Sequence, residues 1–268
     1  MNTIQSKDGT PLAYDVYGSG PALIYITGAT CFRSFEPVLY DANVFAQQFT
    51  VYNYDRRGRG DSGNTLPYAV EREIDDIDAL ITAAGGTASL YGHSSGAILA
   101  LEAALRLGDK VSKLVLYDPA YVFDEAEQAE FRALSQGLFT LLEQKQYGEA
   151  ITGFLHGIEI PDDAITWMQQ SPDWATMTAL APTLAYDTLL ADSLPPVKRA
   201  SRLTTPTLIV VGENSPIAIQ KVAHQLAEAI PNALLNALAG QDHMPNPEVV
   251  LPVLSNFLNQ ELPDPSIP

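Results

Sequence analysis

The chain is poor in cysteine and in positive charge. Its one cysteine in 268 residues, Cys31, excludes an internal disulfide and any cysteine-based metal site. Fifteen lysines and arginines stand against 32 aspartates and glutamates, a formal net charge of −17. That balance disfavours phosphate backbones and anionic lipid surfaces, so neither nucleic acid nor membrane is expected as a partner. No run approaches the roughly 18 consecutive apolar residues of a membrane-spanning helix. Met1–Gly9 has no basic segment leading into an apolar one, and a cytoplasmic protein is the expectation. No histidine cluster, Cys-x-x-Cys pair or glycine-rich phosphate loop occurs, so no metal and no organic cofactor is expected. No pattern speaks to the oligomeric state.

What the chain does have is rhythm. Strand-length apolar runs recur at Thr3–Ser6, Leu12–Tyr17, Ala22–Thr27, Thr50–Tyr54, Thr87–Tyr91, Val111–Tyr117, Thr207–Val211 and Ala233–Leu238. Helical spacing falls between them, near Asp41–Gln48 and over Glu71–Ala84, Ser95–Leu107, Ile217–Ile230 and Glu248–Leu258. Alternation of this kind predicts an α/β fold whose mostly parallel sheet is covered on both faces. After Pro119 the rhythm stops: no strand pattern appears until Thr207, only helical segments punctuated by Pro161, Pro172, Pro182, Pro195 and Pro196. So long an insertion reads as a helical cap, residues 120–200, over the carboxyl ends of the strands. The core is then residues 1–119 and 201–268, with Pro263–Pro268 a frayed tail. Cap aromatics, Phe123, Phe131, Phe154, Trp174 and Tyr186 among them, either pack cap onto core or line an apolar pocket.

Chemistry concentrates at Gly92-His93-Ser94-Ser95-Gly96, between an apolar strand and a small-residue helix. A serine on such a strand-to-helix bend stands clear of the sheet, and the flanking glycines let strand and helix approach closely. A hydroxyl nucleophile needs a base. His93 adjoins Ser94, and neighbouring side chains diverge across a tight turn. His156 falls in the cap and His224 within an amphipathic helix. His243, in Gly240-Gln241-Asp242-His243, lies in the loop between the last strand and last helix, at the same sheet edge as Ser94, and is the candidate base.

These segments, with Asp55-Arg56-Arg57-Gly58-Arg59-Gly60-Asp61-Ser62, resemble the α/β-hydrolase superfamily, in particular its serine esterase-like members, over the whole core. In that family the third segment is loop architecture, which makes Asp55 and the arginines braces. The resemblance also implies an oxyanion hole of two backbone N–H groups, here Ser95 and Ala29, the latter in Thr27-Gly28-Ala29 where relatives usually carry His-Gly-x. Threonine there leaves the donor in place but removes the family histidine as a brace of the loop.

The acid is where the chain departs from the family pattern. Relatives usually place aspartate just after the penultimate strand, but Gly212-Glu213-Asn214-Ser215 has serine there. Three placements stay open: Asp118, at the end of the strand following the nucleophile helix and the preferred candidate; Glu213 or Asn214; or no true acid. Any carboxylate that accepts from the imidazole Nδ1–H can serve. Cys31 reads as a small buried filler.

The expected activity is hydrolysis of a small, apolar carboxylic ester or lactone through an acyl-enzyme, with Ser94, His243 and Asp118 catalytic. The same residues also suit perhydrolase or haloperoxidase chemistry, C–C hydrolysis or hydroxynitrile lyase chemistry. A protein that binds a small molecule without turnover is the alternative from another class.

Overall fold

The computed structural model describes residues 1–122, 125–158, 160–192 and 196–260; Phe123, Pro195 and the tail from Pro263 lie outside them. The apolar runs form strands β1 (Asn2–Gln5), β2 (Pro11–Tyr17), β3 (Ala22–Ile26), β4 (Thr50–Tyr54), β5 (Ala88–His93), β6 (Val111–Tyr117), β7 (Thr207–Gly212) and β8 (Leu234–Leu238). They make one eight-stranded sheet in the order β1-β2-β4-β3-β5-β6-β7-β8. β2 runs antiparallel to β1 and β4, and every other neighbouring pair is parallel. The expected fold class is therefore the observed one. Strands β3, β5, β6 and β7 are mostly apolar and almost continuously buried, as a sheet covered on both faces requires.

Helices α1 (Glu36–Phe45), α2 (Val70–Ala83) and α3 (Ser95–Leu107) lie within the first part of the chain, and α10 (Ile217–Ala229) and α11 (Pro247–Leu258) near its end. Ile74, Ile77 and Leu80 of α2, the alanine-rich α3 and Val222 and Leu226 of α10 pack one face of the sheet around Ile24, Leu90 and Leu116. Val38, Ala42 and Phe45 of α1 and Val250 and Leu254 of α11 pack the other, around Leu23, Tyr91 and Val115. Helix α1 starts at Glu36, ahead of the expected Asp41, because Pro37 sits in its first turn, where its missing N–H costs nothing.

Between β6 and β7 the described residues contain no strand. They form α4 (Glu125–Glu143), α5 (Tyr147–Gly157), α6 (Asp162–Gln170), α7 (Trp174–Ala179), α8 (Leu184–Ala191) and α9 (Pro196–Ala200). Ala150 and Ile151 of α5, Met177 of α7 and Leu184 of α8 join the same apolar cluster as Phe32 and Phe35, in the loop after β3. No helix among the described residues is long and apolar enough to cross a membrane.

Asp41 is partly buried by this packing, and among the described residues no ion pair reaches it. Asp41 of α1 accepts a 2.6 Å hydrogen bond from the Tyr25 hydroxyl. Burial raises its carboxyl to about 6, against the lowering effect of that bond. Because the folded state holds this proton more tightly than the unfolded chain, the group's contribution is fully present below the unfolded pKa and is lost as pH rises through about 6. Asp41→Asn keeps an acceptor for Tyr25 and should gain on the parent protein by about 1 kcal/mol between pH 5 and pH 7 in urea unfolding. A constant difference across that range would contradict this assignment.

Candidate active site

The site forms where the chain bends sharply at the carboxyl ends of β5 and β6. Ser94 follows β5 with φ 56° and ψ −122°, a backbone conformation that L-residues rarely hold. Its N–H still donates to Tyr117 O at 3.0 Å, so the sheet grips the strained residue. Gly96 makes the bend possible: a Cβ there would collide with the carbonyl oxygen of Ile26 and lie 2.6 Å from that of Thr27. Asp118, the first residue past β6, also has positive φ, 46°, and its N–H donates to Val210 O at 3.0 Å.

These bends bring three side chains into one line. Ser94 Oγ lies 3.1 Å from His243 Nε2, and His243 Nδ1 lies 3.0 Å from Asp118 Oδ2. Asp118 is fully buried, with Oδ1 accepting from Gly212 N–H at 3.1 Å and Oδ2 from the Ser215 hydroxyl at 2.6 Å. The carboxylate accepts a hydrogen bond from Nδ1–H, which leaves Nε2 free to accept from the Ser94 hydroxyl. Glu213 and Asn214 do not join this line: the Glu213 carboxylate accepts from Gly240 N–H at 3.1 Å, and Asn214 N–H donates to Gln241 O at 2.8 Å.

The loop carrying His243 is held from both sides. The Tyr117 hydroxyl donates to Asp242 O, and His93 Nε2 donates to His243 O, each at 2.7 Å. A carbonyl can only accept, so His93 carries its proton on Nε2. Burial and the neighbouring His243 lower the His93 pKa to about 4, and the ring is neutral at physiological pH. His156 pairs with Asp162 on the exposed surface, at 3.1 Å.

In front of Ser94 lies a cavity of about 370 Å³, walled by Ala29 and Ser95 from the core and by Phe131, Leu138, Phe154 and Ile158 from α4, α5 and the residue after α5. Among the described residues Asp187 is its one charged lining residue, and the carboxylate bonds to Arg56, Arg59 and the Ser95 hydroxyl. Neither Asp187 nor the role of Ser215 was readable from the sequence. The only signal for Ser215 was that it stands where an acid is usual. Burial pushes the Cys31 thiol up to about 11, so at neutral pH it is no nucleophile. Among the described residues no group of three or more His, Cys, Asp or Glu side chains is arranged to hold a metal ion.

Comparison with known proteins agrees with this architecture. The sequence profile described as "Alpha/beta hydrolase family" matches residues 18–252. The crystal structure of an alpha/beta hydrolase from Sphaerobacter thermophilus superposes with a TM-score of 0.85 at 40% identity, covering 96% of this chain and all of that one. A 2-(acetamidomethylene)succinate hydrolase from Mesorhizobium japonicum is 30% identical over 257 residues, 90% of this chain and 89% of its own length. An N-formylmaleamate deformylase from Pseudomonas putida is 36% identical over 108 residues, 38% of each chain.

The packing of Ser215 on Asp118 gives a direct test. Ser215→Asp sets a second carboxylate against a buried one, which should cost about 2–4 kcal/mol at pH 7 and less at pH 5, where one of the pair can hold a proton. Chemical denaturation at both pH values measures it, and a pH-independent loss would mean that the two groups do not meet.

Proposed function

The chain belongs to the alpha/beta hydrolase family, and from that premise we propose that it hydrolyses a small, uncharged carboxylic ester or lactone with Ser94 as nucleophile. The observation that carries this reading is the unbroken relay from Ser94 Oγ through His243 to the buried Asp118, opening on a small apolar cavity. Ser94 Oγ attacks the carbonyl carbon while His243 Nε2 takes its proton. The N–H groups of Ala29 and Ser95 hold the negative oxygen of the tetrahedral intermediate. The imidazolium, stabilised by Asp118, then gives its proton to the leaving alkoxide, and an acyl-enzyme remains. Water enters by the same route in reverse: His243 deprotonates it, it attacks the acyl carbon, and the acid departs as Ser94 regains its proton. A serine nucleophile argues against alkyl-enzyme chemistry of the dehalogenase kind.

The cavity supports an uncharged substrate. About 370 Å³ with mainly apolar walls suits a short acyl chain or a compact lactone. The Mesorhizobium relative is named for a succinate derivative, a dicarboxylate. Among the described residues that line this cavity there is no cation to receive such a group, and the one charge is the carboxylate of Asp187. A deep lipid site is disfavoured by the volume. The inserted helices act as the cap, with α4 and α5 walling the cavity.

Turnover of p-nitrophenyl butyrate and labelling by a fluorophosphonate test the reading together. Ser94→Ala should abolish both. Asp118→Asn should lower kcat by about 10²–10⁴-fold, whereas Glu213→Gln should stay within about twofold. Adding Ser215→Asp to Asp118→Asn should recover part of the loss, because it returns a carboxylate to the same position from β7. Retained turnover in Ser94→Ala would overturn the reading, and equal small losses in Asp118→Asn and Glu213→Gln would remove Asp118 from the relay.

A further inference from the structure

The side chain that stands where relatives keep a bracing histidine does no bracing here: Thr27 Oγ1 is buried without a hydrogen-bond partner. The loop that carries Ala29 N–H is nevertheless gripped. Arg59 Nη1 donates to Gly28 O at 2.5 Å, and Arg56 Nη1 to Thr27 O at 3.3 Å. Gly28 O and Ala29 N–H belong to one peptide unit, which is trans, so the two groups point in opposite directions. A guanidinium that holds the oxygen thereby aims the N–H the other way, and a charged donor polarises the amide and strengthens that N–H. The loop also has little room to shift, since a Cβ on Gly28 would stand 3.1 Å from Ser94 Cβ.

Both arginines are anchored by one carboxylate from the inserted helices. Asp187 of α8 accepts from Arg59 Nη2 at 2.9 and 2.8 Å and from Arg56 Nη1 at 2.9 Å. Its Oδ1 also accepts from the Ser95 hydroxyl at 2.7 Å. Glu73 takes the other side of Arg56, at 2.9 and 3.1 Å. Burial alone would raise the Asp187 carboxyl, but the charges of Arg59 and Arg56 and the Ser95 bond outweigh it and hold it below the ordinary carboxylate range. Helix α8 is itself fixed to the core: the Tyr186 ring stacks on Tyr68 with centroids 4.0 Å apart, and the Tyr186 hydroxyl accepts from Asn64 Nδ2 at 2.9 Å.

We propose that Asp187 is a positioning residue for the oxyanion, setting one donor peptide through Arg59 and the other donor residue through Ser95. A single carboxylate thus governs the N–H of Ala29 and the N–H of Ser95 at once. This rests on the hydrolase reading above, in which those two groups hold the oxyanion. Their bonds tighten as charge develops on the substrate oxygen, so misplacing them weakens the transition state more than the bound ester.

The test compares the parent protein with Asp187→Asn, Arg59→Met, Arg59→Lys and Ser95→Ala. Sites are counted by end-point fluorophosphonate labelling, so unfolded molecules do not enter the rate. For p-nitrophenyl butyrate, kcat per labelled site should fall about 10- to 100-fold in Asp187→Asn and Arg59→Met, with KM within about twofold. Affinity for a boronic acid, which forms a tetrahedral adduct on Ser94, should weaken by a similar factor. Arg59→Lys keeps one charged donor for Gly28 O and should recover part of the loss. Ser95→Ala removes the hydroxyl's bonds to Asp187 and to Arg56 Nη1 and carries the test if Asp187→Asn does not fold, with an expected loss of about three- to tenfold. Unchanged kcat per site and unchanged boronate affinity, beside a lowered Tm or labelled fraction, would make Asp187 purely structural and overturn the proposal. Ester turnover surviving in Ser94→Ala would instead overturn the hydrolase reading and this proposal with it.

Discussion

A carboxylate sealed from solvent persists as an anion only when its lone pairs are used, and the site is built around one such group. Asp118 is fully buried and takes its bonds from three parts of the chain: the end of β7, the loop after it, and the loop between β8 and α11. Removing any one of these donors leaves an under-satisfied buried charge, whose cost of about 1–3 kcal/mol is large against the margin of a folded domain. The requirement therefore works as a locating device. It fixes β7 against β6 and brings the histidine loop to the serine. Tyr117 and His93 then hold two successive carbonyls of that loop, so His243 is fixed by its backbone as well as by its ring.

The middle of the sheet was legible in the sequence because strands β3, β5, β6 and β7 are buried on both faces. Such strands must be short and apolar throughout, and their ends are cut by glycine, proline and charge. Ser94 and His243 were legible as neighbours for a related reason, since in a parallel sheet every loop after a strand arrives at the same edge. Asp118 was singled out through a gap: the usual position held Ser215, and the next strand over ended in a carboxylate, which was preferred over Glu213 or Asn214. What the sequence did not reveal is that Ser215 still serves the acid, as a 2.6 Å donor to Asp118.

The arginine-rich segment after β4 shows where sequence reading stops. Arg56, Arg57 and Arg59 read as braces, and each is buried and paired. The shared partner of Arg56 and Arg59 was not readable, because Asp187 lies more than a hundred residues downstream in a helix whose own pattern carries no hint of it. Helical periodicity reports which face is buried, not which distant charge it meets. Buried ion pairs of this kind are set by the docking of elements, and that is information a single sequence does not display.

The placement of Asp187 has a consequence for how such a protein can be recombined. Loops and inserted domains are the parts of an enzyme most readily exchanged between relatives, and the helices between β6 and β7 look like a separable module. Here the module carries a carboxylate that neutralises cations belonging to the core, beneath Ser94. A chimera that took these helices from a relative lacking an acid at this position would leave Arg59 without the carboxylate that neutralises it and Arg56 with Glu73 alone, a debt of about 3–5 kcal/mol for a broken buried pair. The boundary of the heritable unit is therefore not the boundary of the insertion: α8 and the segment after β4 form one electrostatic unit, and they can only be exchanged together.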